Sequence, residues 1–335
     1  MESPVLVEVL RGDVVESVHR GVIAVVDAEG DCVFERGDTK RAIFPRSAVK
    51  AIQALPFMES GAADAFGFGR KEIALACASH SGEPEHAELA RTMVAKAGLD
   101  ESAYECGAHW PMEQKPALAL AATGARPNQF HNNCSGKHAG FLCTCAHKGI
   151  STKGYVTAGH EIQRMAATAL EEVTGARLQA DQCGIDGCSI PTYAVPIRNL
   201  AQGFARLATG SGLSEKRFEA ARRIFDACTS EPFYVAGTDR ADTKMMQAGK
   251  GRIFTKTGAE GVFCAAIPEL GLGIALKCDD GATRGAEVMI AQTLARLLPE
   301  GDDLRAELEV QARPELKNWR GIKVGALRPS SALTQ

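Results

Sequence analysis

Ser47-Ala-Val-Lys50 sets a hydroxyl and an amine three residues apart. On a helix, residues at i and i+3 share a face, so the lysine can reach the serine. If burial or a second cation depresses its pKa, the neutral amine can act as general base to a serine nucleophile. The spacing alone says little, because the serines and lysines of this chain produce about 0.7 such pairs by chance. An exposed helix end would look the same.

Lys256-Thr-Gly258 adds weight, since a random K-T-G is expected roughly 0.1 times in a chain of this length. S-x-x-K on a helix, followed some 200 residues later by K-T-G on a strand, resembles the order in serine β-lactamases and penicillin-binding proteins. A second lysine facing the first would discourage both from being charged, which base catalysis needs. The S-D-N element of those enzymes is missing. The nearest middle serine lies in Ala78-Ser79-His80-Ser81-Gly82, at the end of a predicted helix.

A third constellation joins His131-Asn-Asn-Cys134-Ser-Gly-Lys137-His138-Ala-Gly140 with Cys183-Gly-Ile-Asp186-Gly-Cys188. Both read as glycine-rich loops carrying soft ligands. Thiolate and imidazole suit zinc, though the spacings match no standard structural finger, and buried cysteines are the plain alternative. Eleven cysteines in all, an odd number, argue against a full disulfide framework. His80, His86 and His109 lack ligand-like partners in sequence and are expected at the surface or behind the site.

The elements that must hold these groups follow from periodicity. Val5–Leu10, Val22–Val26 and Cys32–Phe34 read as an N-terminal antiparallel ribbon. Helical spacing then takes over, with helices expected from near Ser47, at 71–78, 85–96, 160–173, 196–207 and 214–225. After Gly251 strands return at 252–255, 262–267 and 272–277, followed by a helix over 286–298. The pattern predicts a single α/β domain of the α+β type over residues 1–335. Terminal strands within about 1–40 and 250–300 would form one antiparallel sheet, with a mainly helical insert over about 45–230. The last twenty residues read as a loosely held tail.

Composition bounds the function. With 38 basic against 41 acidic side chains the formal net charge is −3, which disfavours nucleic acid or an anionic membrane as partner. There is no run of 18 apolar residues, and the first residues lack the basic and apolar stretches of a secretion signal. A cytoplasmic location is expected.

Taken together, Phe44-Pro-Arg-Ser-Ala-Val-Lys50, Ala78-Ser-His-Ser-Gly-Glu83, His131-Asn-Asn-Cys-Ser-Gly-Lys-His138, Asp186-Gly-Cys188 and Lys256-Thr-Gly-Ala-Glu-Gly261 resemble the zinc-binding, Rhizobium-type L-asparaginases of class 3, the asparaginase II family. The resemblance runs over nearly the whole chain. It implies a homodimeric hydrolase of L-asparagine with a serine β-lactamase-like and glutaminase-like fold. It also implies two serine and lysine tandems, Ser47 with Lys50 and Ser79 with Lys256. Zinc would be held by Cys134, Lys137 and Cys188, with Asp186 behind them, and Arg46, His138, Thr257 and Gly258 would contact substrate. The rivals are a glutaminase or another serine amidohydrolase of the same fold, and a non-catalytic zinc-binding protein.

Overall fold

The computed structural model describes residues 3–335. Twelve strands occur among them. They are β1 (Val5–Arg11), β2 (Val14–Val26), β3 (Cys32–Arg36), β4 (Ala42–Ile43), β5 (Cys183–Ile185), β6 (Pro191–Tyr193), β7 (Val195–Pro196), β8 (Phe254–Thr257), β9 (Val262–Ile267), β10 (Leu272–Cys278), β11 (Glu315–Lys317) and β12 (Lys323–Pro329). Eight form one sheet in the order β11-β12-β1-β2-β10-β9-β8, with β3 added to β2. All the pairings are antiparallel.

Side chains on a strand alternate between faces, and the central strands are apolar on both. Val22, Ala24 and Val26 of β2, with Val262, Cys264 and Ala266 of β9, join the core beneath the helical insert. Ile23 and Val25, with Phe263, Ala265 and Ile267, join a second core under the helices Thr283–Leu297 and Asp303–Gln311. The sheet is thus sandwiched between helical layers. On the insert side, the helix Ile197–Thr209 lies so close that a Cβ at Gly273 would come within 2.0 Å of the Ala201 carbonyl oxygen.

The antiparallel sheet from chain termini around a helical insert is the architecture the sequence predicts, with two corrections. The tail is not loose: β12 pairs with β1 from Val7↔Pro329 to Arg11↔Gly325, and Ser330 Oγ donates to the Val5 carbonyl at 2.6 Å. Backbone pairing along an open sheet edge outweighs the polar composition of this segment. The second correction concerns Ser135–Lys148, read as glycine-rich loop and in fact a helix. Its Gly136 serves close packing, since a Cβ there would sit 2.1 Å from the Leu75 carbonyl oxygen. No helix among the described residues is long and apolar enough to cross a membrane.

Candidate active site

Ser47 falls in a short 3-10 helix, Arg46–Val49, that continues as α-helix Lys50–Gln53. Arg46 adopts φ +51°, a left-handed conformation that strains a non-glycine residue. Gly258, just past β8, packs onto this helix start: a Cβ would meet the Pro45 carbonyl oxygen at 2.6 Å and the Ala48 nitrogen at 3.2 Å. Only glycine allows that approach, which sets the end of the K-T-G strand beside Ser47. Lys256 shares with Phe254 the strand face turned toward the helical insert.

Lys50 is fully buried, and its amine has three partners. It donates to the Ala78 carbonyl at 2.5 Å, to Ser79 Oγ at 2.9 Å and to Cys134 Sγ at 3.0 Å. These use all three N–H bonds of an ammonium group. The lysine of the S-x-x-K spacing therefore holds the serine of the second segment, and none of its hydrogen bonds goes to Ser47. The expected tandems, Ser47 with Lys50 and Ser79 with Lys256, are not the hydrogen-bonded pairs. Ser47 and Ser79 are both buried, at 9% and 5% exposure.

Lys256 is also fully buried and makes a single hydrogen bond, from Nζ to the Thr257 carbonyl at 2.9 Å. Burial brings its pKa down to about 8, with Asp242 pulling upward and Lys50 pushing further down. One lysine is thus saturated by acceptors, and the other is poised near neutrality.

Cys134 caps the helix Ser135–Lys148 and brings Lys137 one turn along it. Lys137 Nζ donates to Cys188 Sγ at 3.0 Å, and the Cys188 thiol hydrogen-bonds Cys134. That bond, with Lys50 and Lys137 nearby, holds Cys134 well below the ordinary thiol range, while Cys188 is pushed up by the same bond and by burial. Burial opposes charge on Lys137, but the two sulfurs outweigh it and raise its pKa. Asp186 anchors the Cys188 loop: its Oδ1 accepts from Arg46 Nε at 2.6 Å, and its Oδ2 lies 3.8 Å from Cys188 Sγ. Burial works against the Asp186 charge, yet Lys137 and Arg46 hold its pKa below the usual value.

Two thiols and an amine, all buried and linked through Cys188, fit zinc by donor type and convergence. The fit requires Lys137 to lose its proton on metal uptake. A different group, His19, Cys278 and Asp280, has ligand atoms within 4.8 Å of one another. There, however, Arg284 Nε donates to His19 Nε2 at 3.1 Å, which places the ring proton on Nδ1, 2.6 Å from Asp280. That tautomer makes a hydrogen-bonded cluster and blocks Nδ1 as a ligand.

Of the remaining expected residues, His138 is buried with Nδ1 at 2.7 Å from the Tyr155 hydroxyl, and its Nε2 has no hydrogen-bond partner. Burial, then Lys137 and Lys50, keep it neutral. His80 and His86 are not at the surface: they stack at 4.9 Å in the interior, and His80 Nε2 meets Ser135 Oγ at 2.9 Å. His109 Nε2 accepts from the Asn133 amide at 2.9 Å, next to Cys134. Sequence reading missed Tyr155 and Asp242, whose roles depend on contacts 17 and 15 residues away that no motif announces.

Fold and site together define a mixed α/β protein in which paired serines and lysines, drawn from separated segments, meet a thiol-rich corner. The chain belongs to the L-asparaginase II family, whose model matches residues 7–329. No curated protein matches it. Similar solved structures include one described as Mglu, at 18% identity over 80% of this chain and 64% of that one, TM-score 0.42. Mglu in its glutamate form has 18% identity over 84% and 62%, TM-score 0.47. A β-lactamase from Mycobacterium bovis has 14% identity over 79% and 89%, TM-score 0.41. The chain thus spans less than two thirds of the Mglu chains.

Proposed function

We propose that the protein hydrolyses L-asparagine to L-aspartate and ammonia through a serine ester, beside a zinc site. The observation that carries this reading is the Lys50 amine, shared by the Ser79 hydroxyl and the Cys134 sulfur in a buried setting. Family membership supplies the amide substrate class.

Ser47 attacks the side-chain amide carbon while the neutral amine of Lys256, on the strand whose end Gly258 packs against the Ser47 helix, takes its proton. Lys50, its donors all engaged, orients Ser79, which passes the proton taken up by Lys256 on to the departing ammonia and leaves Lys256 neutral again. Backbone N–H groups at the start of the helix Arg46–Val49 stabilise the oxyanion. Water then cleaves the ester with Lys256 again as base. Arg46, Thr257, Gly258 and the unpartnered His138 Nε2 are the substrate contacts. Cys134, Lys137 and Cys188 would hold zinc, which when bound supplies a positive charge for orienting substrate. The same reading makes the protein a cytoplasmic homodimer, eluting at about twice its 35.5 kDa chain mass.

Ammonia release from asparagine, glutamine and a chromogenic β-lactam tests the proposal. Asparagine should be turned over fastest. One methylene is worth about 1–3 kcal/mol in a pocket, so glutamine should follow at a slower but measurable rate. No release from asparagine overturns the reading, and faster release from glutamine makes the protein a glutaminase.

A further inference from the structure

β8 is the last strand of the sheet, so one side of its backbone has no partner strand. Gly258 N donates inward to the Val262 carbonyl at 2.7 Å, which turns the Thr257 peptide groups outward. An outward N–H on an exposed edge would be left to water, and Thr257 is only 7% exposed. Asp242 fills that role: its Oδ1 accepts from Thr257 N at 2.6 Å. The outward carbonyl of the same residue accepts from Lys256 Nζ. Asp242 therefore holds the N–H, and Lys256 is held by the C=O, of one residue.

Asp242 is itself fixed. It lies in the first turn of the helix Ala241–Gly249, where an acidic group suits the helix dipole, and it is 1% exposed. Its neighbour Thr243 donates to the Gly237 carbonyl at 2.7 Å. The Gly237 backbone abuts Ser81, whose Oγ donates to the Ala236 carbonyl at 2.9 Å. Ser79 N donates to the Val235 carbonyl at 2.9 Å. One helical turn thus ties the strand bearing Lys256 to the segment bearing Ser79.

We propose that Asp242 is a positioning residue for the hydrolysis, locking the Thr257 peptide, and through it the Lys256 amine, against the Ser79 segment. This rests on the reading of Lys256 as base. The buried Asp242 Oδ2 has no hydrogen-bond partner, and Asp242 is the neighbour that favours the charged form of Lys256 most. Around Lys256 lie Asp242, Lys50, Arg240 and Cys134, with Cys228 and Cys264 beside it, and Glu287 faces Asp242.

Asp242→Ala and Asp242→Asn, made in the full chain, test this with and without substrate. In Asp242→Ala the Thr257 amide should exchange its hydrogen about 10-fold faster, while amides shared by β9 and β10 stay within about 3-fold. With asparagine, kcat should fall about 100-fold and KM stay within about 3-fold. Asp242→Asn keeps an acceptor for Thr257, so its exchange should match the wild type within about 3-fold. Its pH–rate limb should move to lower pH, because the carboxylate that favours charged Lys256 is gone. Unchanged Thr257 exchange or unchanged kcat in Asp242→Ala overturns the inference. If that variant does not fold, an unmoved limb in Asp242→Asn does so. A wild type that releases no ammonia sinks the asparaginase reading, and the Thr257 exchange then decides the anchoring alone.

Discussion

Lys50 Nζ donates to Ser79 Oγ at 2.9 Å across 29 residues of sequence, although Ser47 stands three residues before it on the same helical stretch. The K-T-G strand instead comes up against the Ser47 helix through Gly258. The proposed division of labour, Lys256 serving Ser47 and Lys50 serving Ser79, can be tested residue by residue.

Ser47→Ala should abolish asparagine turnover by about 10³-fold or more, because no other group would form the ester. Ser79→Ala should cost about 10²-fold, the scale of a lost proton relay. Thermal unfolding should change little in either. Mass spectrometry of a quenched reaction should find the acyl adduct on Ser47. An adduct on Ser79 would exchange the two roles.

The pH dependence follows from Lys256. As the proposed base its amine works only when neutral, and burial brings its pKa down to about 8. Log kcat/KM should therefore rise with unit slope as pH approaches about 8 from below and level off above it. Lys256→Met should remove this limb along with the activity. Stability carries the same sign: the unfolded lysine titrates near 10.4, so between about 8 and that value the unfolded chain binds the extra proton. Stability from this group thus grows with rising pH across that window.

Metal content reports on the thiol corner. The protein should carry about one zinc per chain, and Cys188→Ala or Lys137→Met should weaken zinc binding about 10- to 100-fold. Because the metal is assigned to substrate placement, chelation should raise KM for asparagine more than it lowers kcat. Undiminished zinc in Cys188→Ala, by elemental analysis, would remove that cysteine from the ligand set.

Two glycines in one helix should behave differently. A methyl at Gly136 would sit 2.1 Å from the Leu75 carbonyl oxygen, a backbone atom that cannot swing away. Gly136→Ala should destabilise the protein by about 3 kcal/mol in denaturant unfolding and displace Cys134 beside it. At Gly140 the nearest atom is Ala76 Cβ at 3.4 Å, so Gly140→Ala should stay within about 1 kcal/mol of the wild type.

The sequence by itself determined the parts and their order: Ser47 to Lys50, the Ser79 segment, the Cys134 and Cys188 loops and the Lys256 strand, together with a sheet built from both chain ends. These were legible because helix and strand periodicities are local and short motifs survive as strings. Which hydroxyl meets which amine was not legible. The contacts of Lys50 with Ser79 and Cys134, and of Lys137 with Cys188, span 29, 84 and 51 residues, and loop closure over such lengths leaves no periodic trace. Nor could local rules reveal that β8 ends the sheet and needs Asp242 at its free N–H, or that the polar tail becomes β12. Those outcomes depend on backbone groups that must find partners once the sheet has formed, a requirement that only the tertiary arrangement creates.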